Sequence, residues 1–304
     1  KDKKLTKLKN PEDIKIVYFG TPEFSAYILE KLIDFCESSS LPKKFKVQTA
    51  ITRADKPIGR TQTITQSPVS LVAQKHNIPV LKPKKLDEEF ITTNYQLLTT
   101  DLFIVASYGK IIPQALLDIP KLGAINVHPS LLPKYRGPSP ILTPILNGDK
   151  ETGVTIMLMD EQMDHGPILS TKGISISEQD THKTLSIKLS QAAVPLLLDT
   201  LVKFVEGKVI AKKQNHKKAT FTKLIKKEDG YFDINNLPAG RQVPSFLKKL
   251  DRMIRAYYPW PGVWTRFRPS GSSGQSKIVK FLPDGLLQME GKKPISFKDF
   301  LNGY

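Results

Sequence analysis

Asn126 and His128 sit two residues apart in a short apolar run, Gly123 to Val127, that reads as a buried strand bounded by Gly and Pro. Residues i and i+2 of a strand point the same way, so two polar heads at its end aim at one point. The amide of one can donate to an oxygen, and the imidazole of the other can take part in proton transfer. Beyond them, Pro129 and Pro133 hold the loop Ser130-Leu131-Leu132-Pro133-Lys134-Tyr135-Arg136-Gly137 stiff and extended, a fixed wall for a ligand. The plainer alternative is a satisfied histidine near a sheet end with a polar loop after it. A second stretch, Asp160-Glu161-Gln162-Met163-Asp164-His165-Gly166-Pro167, follows the strand-like run Val154 to Met159. It brings a carboxylate, Asp164, although Asp-His-Gly is also ordinary turn chemistry.

The elements that must position these groups alternate in type. Ile14 to Phe19 reads as a buried strand, and Gly20-Thr21-Pro22-Glu23-Phe24 turns it into a helix running to about Phe35. Thr21 suits the cap of that helix and Pro22 its first position. No G-x-G-x-x-G accompanies this opening. Val47 to Ile51 is a second strand, followed by a long polar loop without periodicity, Thr52 to Gln66, which holds Arg53, Lys56 and Arg60. Ser67-Pro68 opens a helix to about His76. Ile78 to Leu81, Asp101 to Ser107, Gly153 to Met159 and Ile168 to Ile176 are further strands. A helix is expected from about Pro138 to Asn147, and a longer one from Thr181 to Val205 with a kink or break at Pro195. This pattern predicts an α/β fold with a mostly parallel, Rossmann-like sheet and helices on both faces. Ligands in such folds sit at the carboxyl ends of the strands, where Asn126, His128 and the Tyr108-Gly109-Lys110-Ile111 loop all fall.

The net charge of +17 is unevenly placed. Residues 1–10 carry five Lys and one Asp, residues 11–206 balance 21 basic against 21 acidic, and residues 207–304 carry 20 basic and 7 acidic. A neutral body with a basic final third suggests small-molecule chemistry in the one and polyanion binding in the other, against the alternative of a merely soluble basic surface. Lys212, Lys213, Lys217 and Lys218 cluster in a stretch, Lys208 to Lys223, that reads as a linker. After it come a helical run with Arg252 and Arg255 and strand candidates at Tyr231 to Ile234, Gly262 to Arg268, Ile278 to Phe281, Leu286 to Met289 and Ile295 to Phe297. The expected organisation is a loose tail over 1–13, a catalytic domain over 14–207, a linker over 208–223 and a small domain over 224–304. The single cysteine, Cys36, rules out an intramolecular disulfide and a cysteine-rich metal site, and fits a reducing cytoplasm. No run approaches the roughly 18 apolar residues of a membrane span.

The Asn-x-His-Pro-Ser-Leu-Leu-Pro stretch and the Asp164 turn together resemble the 10-formyltetrahydrofolate-dependent formyltransferases. Gly20-Thr21-Pro22-Glu23-Phe24, Thr152-Gly153-Val154-Thr155-Ile156-Met157 and Arg255-Ala256-Tyr257-Tyr258-Pro259-Trp260-Pro261 extend the resemblance over nearly the whole chain, and point within that family to its tRNA-directed branch. The resemblance implies that Asn126, His128 and Asp164 are catalytic. It places Ser130, Leu131, Leu132, Pro133, Tyr108 and Ile111 beside the folate. The formyl donor would be 10-formyltetrahydrofolate, released as tetrahydrofolate, and the acceptor the amino group of an initiator methionyl-tRNA. Arg53, Lys56, Arg60, Lys212, Lys213, Lys217, Lys218, Arg252 and Arg255 would face that tRNA. The final domain would be a small OB-like β-barrel, here abbreviated. A monomer without metal or membrane partner is expected. An enzyme formylating a nucleotide-linked amino sugar would share the three catalytic residues without needing the basic third.

Overall fold

The computed structural model describes residues 13–38, 45–58, 63–233, 243–268, 276–296 and 298–300. Arg60, most of the tail over 1–13, the end of the expected strand at Ile234, Phe297 and residues 269–275 lie outside them. In chain order the elements are β1 (Ile14–Gly20), α1 (Glu23–Ser38), β2 (Phe45–Ile51), β3 (Lys56–Ile58), β4 (Thr63–Thr65), α2 (Pro68–Lys75), β5 (Val80–Leu81), α3 (Glu88–Thr93), α4 (Tyr95–Leu98), β6 (Leu102–Ala106), α5 (Gln114–Leu117), β7 (Ala124–His128), α6 (Leu142–Asn147), β8 (Glu151–Leu158), β9 (Ile168–Ser175), α7 (His182–Val205), α8 (Val243–Tyr257), β10 (Val263–Phe267), β11 (Lys277–Phe281), β12 (Leu286–Met289) and β13 (Ile295–Ser296).

These fall into two compact units. The first holds residues 1–138, 153–174 and 187–221. Its seven-stranded sheet runs β5-β2-β1-β6-β7-β8-β9. The pairs β2–β5, β1–β2, β1–β6 and β6–β7 are parallel, and β7–β8 is antiparallel. Strands covered on both faces need apolar side chains throughout rather than alternation. Thus Leu102 to Ala106 and Ala124 to His128 are buried at every position. Phe19, Phe103, Val105, Tyr108, Leu116 and Leu117 form part of one core cluster. The strand order reverses at β1, so the crevice outside the carboxyl ends of β1 and β6 is the topological switch point. The Thr21 hydroxyl closes that turn by donating to the Tyr108 carbonyl at 3.0 Å; it does this rather than act as the helix cap read from its position. Ser67 does cap its helix, its Oγ accepting from the Ser70 N–H at 3.0 Å with Pro68 in the first turn. Such a cap is worth about 1 kcal/mol.

Several boundaries differ from those read in the sequence. The polar stretch Thr52 to Gln66 contains an exposed two-stranded antiparallel ribbon, β3–β4, because its pairing comes from backbone bonds that hydrophobic periodicity does not report. α6 starts at Leu142 rather than near Pro138, since Pro140 disfavours helical geometry at the residue before it. α7 runs unbroken through Pro195, whose ring lies on the exposed side, where water can serve the carbonyl left without its N–H partner. Among the described residues α7 is the one helix long and apolar enough to cross a membrane by length and composition, yet Leu185, Leu189, Ala193, Leu197, Leu201 and Phe204 on it are buried within the protein. The short helices α3 and α4 had no periodic signal; Asp87 caps the first through the Phe90 N–H at 3.1 Å.

The second unit holds residues 139–152, 175–186 and 222–304. Its antiparallel sheet runs β10-β11-β12-β13 around Val279, Leu287, Met289 and Phe300. Arg252 donates to the Asn147 carbonyl at 3.1 Å, and Arg255 donates to the Asp180 carbonyl and the Asp251 carboxylate, each at 2.9 Å. These two arginines tie α8 to its own unit. Ala256 and Tyr257 are buried there, while Trp260 stands exposed.

On α1, burial pushes the Cys36 thiol up to about 12. At pH 8 its thiolate is therefore scarce. Iodoacetamide should leave the folded protein unmodified at that pH and alkylate Cys36 once urea unfolds it, as intact mass would record.

Candidate active site

β7 lies between β6 and β8, and the register sets Asn126 against Val105 on one side and Met157 on the other. Asn126 and His128 therefore leave the same face at the carboxyl end of a fully buried strand. Both are buried. The Asp164 turn reaches the same point. Asn126 Nδ2 donates to Asp164 Oδ1 at 3.1 Å, His128 Nδ1 lies 3.6 Å from the same oxygen, and the Gly137 N–H donates to Asp164 Oδ2 at 2.7 Å. The three residues read from the sequence as catalytic are thus brought together.

The tautomer of His128 follows from its other contact. Nε2 lies 2.9 Å from the Tyr135 carbonyl, which can only accept, so Nε2 carries a proton. Nδ1 is then the nitrogen that can gain and lose one, and it faces the Asp164 carboxylate. Asn126 donates one amide hydrogen to that carboxylate and keeps a second.

The loop and the turn are held tightly enough to store strain. Ser107, Tyr135 and Asp164 adopt φ of +48°, +61° and +51°, the left-handed region that costs a non-glycine residue roughly 1–3 kcal/mol. At Gly166 an added Cβ would lie 2.0 Å from the Leu158 carbonyl oxygen, so only glycine lets the turn close on β8. The loop Ser130–Pro133 is fixed from within. Ser130 Oγ donates to the Lys134 carbonyl at 2.6 Å, and Thr155 Oγ accepts the Leu132 N–H at 3.1 Å while donating to the Ser130 carbonyl at 2.7 Å. Leu132 is buried, and Leu131 packs where Gly153 leaves room for it.

The other expected site residues divide. Ile111 stands 86% exposed beyond β6. The Tyr108 ring is 2% exposed and packs edge-on against Phe19 with centroids 5.4 Å apart. It supports its loop from the core side, and burial raises its phenol to about 12. Arg53 lies against Gly109, and Lys56 is exposed on β3. Lys110 is held below its usual range by lost solvation, with Arg53 and Lys56 adding to the effect. Lys212, Lys213, Lys217 and Lys218 are all exposed.

Sequence reading missed the residues behind the site. Arg136 and Gln214 are buried and joined, Arg136 Nη2 donating to Gln214 Oε1 at 2.7 Å and to His216 Nδ1 at 2.9 Å. His216 stacks on His165 at 4.1 Å, and His165 Nδ1 lies 2.7 Å from Asp160 Oδ2. Lost solvation, then His165 and Arg136, hold His216 below the usual imidazole range. Residues 208–221 therefore pack as part of the first unit, where the sequence suggested a spacer. Their lysines drew attention to charge, while the residues that make the contacts, Gln214 and Thr220, are uncharged.

A mostly parallel α/β sheet carrying an amide, an imidazole and a carboxylate at the carboxyl end of one strand defines an enzyme suited to oxyanion binding with proton transfer. Residues 14–201 match the family described as formyl transferase, and the chain belongs to that family. It is 37% identical over 255 residues to the methionyl-tRNA formyltransferase of Chloroflexus aurantiacus, covering 84% of this chain and 77% of that one. It is 33% identical over 315 aligned positions to the methionyl-tRNA formyltransferase of Geobacter sulfurreducens, covering 96% and 94%. An N-formyltransferase from Helicobacter canadensis, solved with folinic acid and dTDP-3-aminofucose, shares the fold with a TM-score of 0.59 at 18% identity over 91% of this chain and 95% of that one.

Proposed function

We propose that this protein transfers the formyl group of 10-formyltetrahydrofolate to the amino group of methionyl-tRNA, making formylmethionyl initiator tRNA for translation initiation in the cytoplasm. The observation that carries the chemistry is the meeting of Asn126, His128 and Asp164 at one carboxylate oxygen. The acceptor is supported by the relatives named for that substrate, which match over most of their own lengths.

In this reading a neutral amine attacks the formyl carbon, and a C–N bond forms as the carbonyl oxygen takes up negative charge. The free hydrogen of the Asn126 amide donates to that oxyanion, a contribution worth roughly 10²–10³ in rate. Nδ1 of His128 receives the proton the amine loses, and Asp164 steadies the imidazolium. The intermediate collapses when its bond to folate N10 breaks and N10 takes the proton back from the ring. The products are the formamide and tetrahydrofolate.

The folate is assigned to the wall Ser130–Pro133 and to the exposed apolar side chain of Ile111. The four-stranded sheet of the second unit is read as an abbreviated OB-like domain. The tRNA is assigned to Arg53, Lys56 and Arg60 and to the exposed lysines Lys212, Lys213, Lys217 and Lys218. Arg252 and Arg255, bonded within their own unit, are assigned to the tRNA with them.

The test is a formyl-transfer assay with 10-formyltetrahydrofolate and methionyl-tRNA beside nucleotide-linked amino sugars. Product is expected on the tRNA alone, and turnover of a sugar alone would replace the acceptor. Affinity for the tRNA should fall steeply between 50 and 200 mM salt, because lysine contacts to phosphate release counterions. An affinity flat in salt would remove the lysines from the interface.

A further inference from the structure

Residues 212–220 touch both sides of the active site. At one end Lys212 and Ile168 exchange backbone hydrogen bonds, each of 2.8 Å, just after the Asp164 turn. At the other, the Thr220 N–H donates to the Pro133 carbonyl at 3.2 Å, the Thr220 carbonyl accepts the Arg136 N–H at 2.9 Å, and Thr220 Oγ accepts the Tyr135 N–H at 2.8 Å. Tyr135 is the residue whose carbonyl holds His128. Between these ends, Gln214 Nε2 donates to the carbonyls of Asp164 at 3.0 Å and Gly166 at 2.7 Å.

A side-chain amide can face either way, and only one way serves here. The guanidinium of Arg136 can only donate, so it fixes Gln214 Oε1 toward itself and turns Nε2 to the two carbonyls. Arg136 is followed by Gly137, whose N–H holds the Asp164 carboxylate. The backbone and the carboxylate of Asp164 are therefore gripped from the same loop, one through Gln214 and one directly. Asp164 needs this grip because its φ of +51° is a conformation it leaves readily when unsupported.

We infer that Gln214, keyed by Arg136, is a positioning residue for the formyl-transfer step: it holds Asp164 where it can serve Asn126 and His128. The inference rests on the function proposed above. A misplacement of about 1 Å in such a group costs on the order of 10²-fold in rate.

The experiment measures kcat and KM for both substrates in the full chain, with the active fraction titrated. Gln214→Leu removes both ends of the amide, and Gln214→Glu keeps the acceptor for Arg136 but removes the donor to Asp164. Both are expected to lose about 10- to 100-fold in kcat with KM for folate and tRNA nearly unchanged. Arg136→Lys should lower kcat in the wild-type background and add little in Gln214→Leu, because the two act through one bond. A structural role would instead lower the active fraction or raise both KM values, and that outcome overturns the inference. Gln214→Glu at wild-type kcat overturns it as well, even if Gln214→Leu fails to fold. A wild-type protein that does not formylate methionyl-tRNA overturns the proposed function first, and the positioning role falls with it.

Discussion

His128→Ala is expected to leave a folded protein that formylates methionyl-tRNA about 10²–10⁴-fold more slowly. The magnitude is that of a positioned proton carrier, and the geometry leaves no substitute. Among the described residues, the other histidines in contact with this neighbourhood, His165 and His216, are stacked on each other and bonded to Asp160 and Arg136. The Tyr135 carbonyl loses its donor, but the shortened side chain sits at a strand end rather than inside the core cluster, so the fold should survive. Single-turnover transfer with circular dichroism alongside is the check. A rate near wild type would mean that His128 is a satisfied structural histidine and that the proton moves elsewhere.

Asp164→Asn isolates charge from backbone, because Asn tolerates the left-handed conformation nearly as well as Asp. The carboxylate accepts from two donors, the Asn126 amide and the Gly137 N–H. An amide in its place can accept from one and must turn its own N–H₂ toward the other. Donor would then face donor inside a partly buried site, at roughly 1–3 kcal/mol in stability. The imidazolium also loses its counter-charge. Transfer should fall about 10²-fold or more, with a small drop in Tm. Activity within a few-fold of wild type would reduce Asp164 to turn chemistry and leave the imidazolium without a partner.

What the chain revealed before its structure was known tracks sequence distance. Asn126 and His128 were legible because two residues on one strand have no choice about sharing a face. The parallel sheet was legible from buried strands alternating with helical patterns. Asp164 was placed by resemblance, since nothing local tells a catalytic Asp from one that merely turns the chain. Gln214 stayed hidden because its partners lie 48 to 78 positions away and a lone glutamine in a lysine-rich stretch carries no periodic mark. Thr21 and Pro195 mislead for a shared reason. Each has a local preference, cap and breaker, that the three-dimensional setting overrides, by a carbonyl from β6's loop in one case and by an exposed ring in the other.

The first unit is assembled from three separate lengths of chain, and α7 contributes to both units. A single cut after Phe221 keeps all three lengths together, but it carries residues 139–152 and 175–186 of the second unit along with them. A chain ending at Glu206 would retain every residue first read as catalytic and every strand of the large sheet, yet it would lack Gln214 and Thr220, the contacts behind Asp164 and Tyr135. Dissection by protease or by truncation would thus report on lost support for the active site rather than on the missing second unit. Shared ancestry among proteins that keep only the first two hundred positions must be judged with the same care, because the boundary drawn along the sequence and the boundary drawn in space fall in different places.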